Sequence, residues 1–204
     1  IMDIWGASTE LIWVKDRALK ECISLPFGAI TLTKKFKLEN SISSEQEKLL
    51  NGFLLENFSK VSWLKNLDFS TLIGIGGSIR NLGKISRKKK NHPLNLIHNY
   101  TMSSKYVEDI YDEVKIKTNE QRRKIKGLSK VRADIFVGAA GTVKSIITLC
   151  KIKKITICRN GIREGLLLSE LFNKKPIENI LDFSISNVLM NNNVNINHSK
   201  HVYK

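Results

Sequence analysis

Cysteine and proline are scarce: 204 residues carry three of each. Cys22, Cys150 and Cys158 are odd in number, far apart and without metal-ligand spacing. That excludes a disulfide framework and leaves them to serve as small buried hydrophobes. No apolar run approaches the roughly 20 residues that cross a bilayer. No basic segment precedes an apolar stretch near Ile1, so a secretory leader is not expected either. The expectation is a cytoplasmic protein with no membrane partner. Internal repeats are lacking, and the one biased tract is the Asn-rich stretch from Asn191 to Lys204. Acidic residues are also few. Asp and Glu number 19 against 34 Lys and Arg, a formal charge of +15.

A hydrophobic share of 42% and a charged share of 26% describe a globular chain. Its length suits one domain, or one domain with part of a second, and allows a sizeable core. The positive charge draws polyanions. Nucleic acid, nucleotides and polyphosphate all qualify, and charge does not choose among them. The first residue is Ile rather than Met and enters a strand at once, so the chain reads as cut from something longer.

The patterning alternates strands with helices, which predicts an α/β fold. Ile1–Ile4 reads as a buried strand, and Leu11–Lys15 and Ala18–Leu25 as an antiparallel pair turning at Asp16-Arg17. Ala29–Phe36 reads as a helix. Ser43 or Ser44 caps a second helix running to Ser59, with Leu49, Leu50, Phe53 and Leu54 on one face. Ser70–Ile75 is a strand and Ile79–Ile85 a helix, with Arg87–Lys90 as a basic run after it. Ser103 caps a helix to Lys115, and Thr118 starts another to Ile125. Val131–Cys150 reads as one long apolar helix. Lys154–Cys158 is a strand and Ile162–Phe172 a helix.

Two glycine-containing loops each follow a strand. The first is Asp3-Ile4-Trp5-Gly6-Ala7-Ser8-Thr9-Glu10 and the second is Gly74-Ile75-Gly76-Gly77-Ser78-Ile79-Arg80. Glycine lets backbone N–H groups approach an anion, and in the second loop a helix N-terminus faces the same space. Neither loop has the Gly-Lys-Ser/Thr of a Walker A motif. The first adds two carboxylates and two hydroxyls. Phosphoryl chemistry calls for such groups to hold a metal, orient water and bind phosphate.

The first loop resembles the Asp-Ile-Gly-Gly-Gly-Ser-Thr-Glu signature of the Ppx/GppA phosphatases. Further segments follow in family order: Ser24-Leu25-Pro26-Phe27-Gly28-Ala29, then Gly74 to Leu82, then Lys126-Gly127-Leu128-Ser129, Arg132-Ala133-Asp134, and Gly161-Ile162-Arg163-Glu164-Gly165. The resemblance covers Ile1 to Phe172. It implies an actin-like (ASKHA, ribonuclease H-like) fold, with residues 1–175 forming the second of two lobes around a cleft. The family's first lobe, with its own phosphate loop and main catalytic glutamate, precedes this region, so the chain alone is expected to lack phosphatase activity. Residues 176–204 would be a linker and the start of a helical HD-like domain, a segment that His198–Val202 resembles.

The same resemblance implies a Mg²⁺-dependent hydrolase that releases terminal phosphate from polyphosphate or guanosine pentaphosphate, with a homodimer as a further expectation. Asp3 would help hold the metal, directly or through water. Glu10 would position the attacking water. Ser8 and Thr9 would bind phosphate together with Gly6, Gly76, Gly77 and Ser78. Arg80, Arg87, Lys88, Lys89 and Lys90, with Lys84 nearby, would form a track for a long polyanion. Trp5 and Ala7 replace two glycines of the signature. Trp5 resists a positive φ, which points to a distorted or non-catalytic loop. Three other readings stay open: a non-catalytic sensor of guanosine polyphosphates or polyphosphate, a nucleic-acid-binding module argued from charge, and a sugar or acetate kinase of the same fold class.

Overall fold

The computed structural model describes residues 1–65, 71–192 and 194–203. They divide into two compact units, Ile1–Gly161 and Ile162–Lys204. The first is built on a six-stranded mixed sheet flanked by helices. Its strands are β1 (Met2–Ile4), β2 (Thr9–Lys15), β3 (Ala18–Leu25), β4 (Thr71–Ile75), β5 (Tyr100–Ser103) and β6 (Lys154–Ile157), in the order β3-β2-β1-β4-β6-β5.

The first three strands form a meander. Asp16 and Arg17 both take left-handed φ, 52° and 61°, the geometry that matches a two-residue hairpin turn to strand twist. β1 pairs with β2 through Met2–Leu11, Asp3–Glu10 and Ile4–Thr9. β4 runs parallel to β1, with Asp3 opposite Ile75, and parallel to β6. Both glycine-containing loops therefore leave the carboxyl ends of neighbouring strands. In open α/β sheets that edge is where ligands bind. The strand expected from Ser70 is β4; Ser70 itself lies outside the described residues.

Between strands run α1 (Ala29–Phe36), α2 (Ser44–Ser59), α3 (Ser62–Lys65), α4 (Gly76–Lys89), α5 (Ser104–Lys115), α6 (Asn119–Arg122) and α7 (Phe136–Leu149). Ser43 and Gln46 cap α2 reciprocally, at 3.2 and 2.9 Å. Leu50, Leu54 and Phe58 are its buried residues, at helical spacing, whereas Leu49 is exposed. Helix α7 is mostly apolar and mostly buried, with Lys144 and Thr148 among the few residues that leave the core. It packs against α1, α2, α4 and α5.

Four expectations change. The long helix expected from Val131 is a 3₁₀ turn (Lys130–Arg132) followed by α7. The break comes where Asp134 Oδ1 accepts from the Ile135 N–H at 2.9 Å, a local bond that competes with helix. The helix expected over Ile79–Ile85 is α4, which begins at Gly76 and contains Arg87–Lys89 rather than ending before them. β5 went unanticipated, being four residues long at a sheet edge. Among the cysteines, Cys150 is buried while Cys22 is exposed and Cys158 is intermediate.

The second unit holds α8 (Ile162–Leu171), α9 (Ile180–Asn191) and α10 (Ile196–Tyr203). Asn179 caps α9 by accepting from the Asp182 N–H at 3.1 Å. Neither α8 nor α9 buries a residue; Leu166, Leu167, Leu181 and Val188 are all exposed. No helix of the described residues is long and apolar enough to cross a membrane.

A candidate phosphate-binding edge at the ends of β1 and β4

The first loop is a tight turn, Trp5 to Ser8, closed by the Trp5 N–H donating to Ser8 O at 2.9 Å. Asp3 and Glu10 are opposite each other on the flanking strands, so their side chains share one face. Neither Trp5 nor Ala7 takes a positive φ. The distortion expected from replacing two glycines does not arise, because this turn does not need left-handed backbone there. Trp5 instead stands 55% exposed at the loop's tip.

A second segment forms the floor of that loop. The N–H groups of Ala29 and Ile30 donate to Trp5 O and Gly6 O at 2.8 Å, and the Thr31 N–H also reaches Gly6 O. The first turn of α1 is thus spent on holding the loop. A Cβ on Gly28 would lie 2.4 Å from Trp5 O and 2.7 Å from Ser8 N, so only glycine fits there. Thr9 is fully buried, and its hydroxyl donates to Phe27 O at 2.8 Å. That bond corrects the expectation that the Thr9 hydroxyl binds phosphate: its proton serves the floor.

Glu10 is held from one side. Oε1 accepts from the hydroxyls of Ser8 at 2.7 Å and Ser24 at 3.0 Å. Oε2 is buried with no protein partner. A buried carboxylate oxygen left open is costly unless something fills it. Burial, and after it the Glu10 charge, push the Asp3 carboxyl above its ordinary value, while Trp5, Ile4 and Arg80 pull the other way.

The second loop meets the first at Asp3. Gly76 has φ +80°, and a Cβ there would lie 2.1 Å from Asp3 Oδ1. The residue before α4 is Ile75, which offers no capping side chain, and no acid sits in the first turn. The N–H groups at Gly76, Gly77 and Ser78 are therefore not consumed as those of α1 are, and the positive helix end favours an anion. Arg132 lies directly over Gly77: a Cβ there would fall 2.5 Å from its Nη2, and Nη1 reaches Ser78 Oγ at 3.5 Å. The Ser78 side chain itself is buried.

From here a groove of about 520 Å³ runs along α4, lined by Arg80, Lys84, Arg132 and Arg159 and by no carboxylate. Arg80 is braced by Gly76 O at 3.2 Å and Arg159 O at 3.5 Å. His98 Nδ1 accepts from the Arg159 N–H.

The basic run lies elsewhere. Arg87 is buried, and its Nη1 donates to Leu94 O at 3.0 Å, so it takes no part in a surface track. Lys89 pairs with Glu113, and Lys90 sits over the Tyr106 ring at 4.1 Å. The structure thus brings together Asp3, Glu10, Ser8, Gly6, Gly76, Gly77, Ser78 and Arg80, and separates Arg87–Lys90 from them. Sequence reasoning missed Arg132, Ser24 and Gly28 as site-building residues. All three lay in segments that matched the family series.

A family model described as the Ppx/GppA phosphatase family matches residues 1–174. The chain belongs to this family. A bifunctional 3-dehydroquinate synthase/phosphatase of Fusobacterium nucleatum is 29% identical over 177 residues, covering 85% of this chain and 26% of that protein. A guanosine-5'-triphosphate,3'-diphosphate pyrophosphatase of Vibrio vulnificus is 24% identical, covering 84% and 34%. The crystal structure of an exopolyphosphatase from Cytophaga hutchinsonii superposes with a TM-score of 0.78 at 21% identity, over 85% of this chain and 57% of that one. The fold is accordingly the actin-like one of these Ppx/GppA proteins. The chain spans about a quarter to a third of the length of the two curated relatives.

Proposed function

We propose that this chain is the second lobe of a phosphatase that removes terminal phosphate from inorganic polyphosphate or guanosine pentaphosphate. The observation that carries the reading is the meeting of Asp3 and Glu10 with the uncapped N-terminus of α4 under Arg132. Donors for phosphate and acceptors for water stand side by side there.

Ser8 and Ser24 fix Oε1 of Glu10, leaving Oε2 to accept a hydrogen bond from water and aim its lone pair at phosphorus. As water oxygen bonds to the terminal phosphorus, its proton passes to Glu10 Oε2, the bridging P–O bond breaks and its electron pair leaves with the shortened chain. The Gly76–Ser78 N–H groups and Arg132 hold the phosphoryl oxygens while this charge moves. The chain's oxygen donors fit Mg²⁺. Two mutually repelling carboxylates and an open buried oxygen suit a hard cation that keeps its waters. Asp3, with Glu10 beside it, would hold the ion. Among the described residues no third candidate ligand joins them. Bound there, it would supply charge neutralisation on the phosphates.

The test is phosphate release from long-chain polyphosphate by the lobe joined to its family partner lobe, with Mg²⁺, beside Glu10→Gln. Loss of about 10²–10⁴-fold in rate is expected on removing a group that handles the reacting water. An unchanged rate in Glu10→Gln would overturn the assignment, as would robust release from the chain alone. The exposed Trp5 favours one other reading, a sensor that binds without turnover. Tight binding with no release would select it.

A further inference from the structure

Trp5 stands where the signature that the first loop resembles has glycine, and the fold gives its side chain a partner. The indole N–H donates to the Asp3 carboxylate, and the Ile4 N–H donates to the same group. An indole has no other donor and no acceptor. The ring itself stays 55% exposed.

Neither turn geometry nor burial accounts for this side chain. The turn is closed by backbone alone, with the Trp5 N–H on Ser8 O at 2.9 Å and the Ala29 N–H on Trp5 O at 2.8 Å. A ring left more than half in solvent forgoes much of the gain of apolar burial. What the indole adds is one donor aimed at one carboxylate.

That donor governs how Asp3 is presented. A carboxylate has about four lone-pair sites on two oxygens, and the indole and Ile4 take two of them. The terminal torsion of an aspartate is broad, and two donors narrow it. Oδ1 is the oxygen turned to the second loop: a Cβ on Gly76 would lie 2.1 Å from it and 3.3 Å from Cγ. Glu10, opposite on β2, is treated alike. The Ser8 and Ser24 hydroxyls fix its Oε1 and leave Oε2 open. Each carboxylate of the pair is thus fixed by a side chain of the same loop, Glu10 by Ser8 and Asp3 by Trp5. Hydrogen bonds of this kind orient carboxylates that ligate metals.

We infer that Trp5 is a positioning residue: its indole N–H holds the Asp3 carboxylate in one orientation for a divalent cation. The cation part rests on the phosphatase reading; the bond between indole and carboxylate does not. Nitrogen-15 labelling of tryptophan in this chain tests the bond. Trp13 and Trp63 stack on each other at 6.4 Å and serve as internal references. The Trp5 indole proton should exchange with water several-fold more slowly in the unaltered chain than in Asp3→Ala. Equal exchange overturns the inference. Calorimetric titration with Mg²⁺ tests the consequence. Trp5→Phe keeps a ring and loses the N–H, and it should bind about tenfold more weakly, the usual effect of losing a group that orients a metal ligand. Unchanged affinity would mean the ring serves structure alone and overturns the proposal. Tighter binding overturns it too, because the indole would then compete with the ion. Asp3→Asn separates the two failures. If it binds Mg²⁺ as well as the unaltered chain does, the cation role of Asp3 fails and the proposal falls with it. If it loses binding while Trp5→Phe keeps it, the positioning role alone fails.

Discussion

Two regions of the α/β unit treat buried charge in opposite ways. Around α6, the fully buried Arg122 donates to five carbonyls. Nε reaches Val114 O at 2.9 Å, Nη1 reaches Leu38 O, Glu39 O and Ala133 O at 3.0, 3.0 and 3.3 Å, and Nη2 reaches Asn40 O. Burial lowers its pKa to about 10, which still leaves it charged at neutral pH. At the loop edge, Glu10 keeps one buried oxygen without a partner and Asp3 is crowded by it. A buried charge whose hydrogen bonds are filled fixes backbone; one left open has room for a ligand. The contrast separates structural from functional polarity without reference to any relative.

The largest effect that would break this contrast is the loss of Arg122. Arg122→Ala leaves carbonyls from three segments unpaired in the interior. A loss of about 3–5 kcal/mol is expected, as for other buried charged networks cut on one side. Arg122→Lys should recover part of it, because an ammonium has three donors to the guanidinium's five. Urea denaturation checks both. A change below about 1 kcal/mol in Arg122→Ala, the range of a surface substitution, would mean the guanidinium is not the clasp.

A middle-sized effect comes from the loop floor. Gly28→Ala drives a methyl into the backbone at Trp5 and Ser8. It should cost about 1–3 kcal/mol, as overpacking does, and weaken phosphate binding by displacing Ser8 from Glu10. Gly6→Ala meets the flexible end of Ile30 at 2.8 Å and should cost less. Denaturation together with phosphate titration ranks the two. Equal costs would show that the loop does not depend on its floor.

The sheet meander and the principal helices were legible because their signals are local. Asp16-Arg17 turned as its residues suggest, and Ser43 capped α2. Asp3 and Glu10 lie in one octapeptide, and the β1–β2 register sets them opposite each other. What escaped depends on distance. Thr9 looked like a phosphate ligand until Phe27 O appeared beside it, eighteen positions on. Arg87 counted as surface charge until the 91–97 segment folded over it. Arg132 gives no sign in the sequence of reaching Gly77, because the apolar pattern around the 3₁₀ turn that carries it matches a helix. Periodicity reports which face of an element is apolar; it does not report which loop returns to cover a polar end.

The smallest effect is the most diagnostic for the loop edge. Asp3 has a folded-state pKa above its ordinary value. Between the two values the folded chain binds more protons than the unfolded one, so stability falls as pH rises through that window. Above that window the full penalty is present. Asp3→Asn removes the charge while keeping the shape, so it should raise the melting temperature at pH 7. The gain should vanish below the ordinary carboxylate range, where Asp3 is protonated in both states. Melting across that range measures it. If Mg²⁺ binds at Asp3, adding the ion should stabilise the unaltered chain and not Asp3→Asn, since a ligand that binds only the folded state shifts the equilibrium. An Asn variant that is less stable at pH 7 would mean the Asp3 charge is needed for folding, and would place this carboxylate with Arg122 rather than with Glu10.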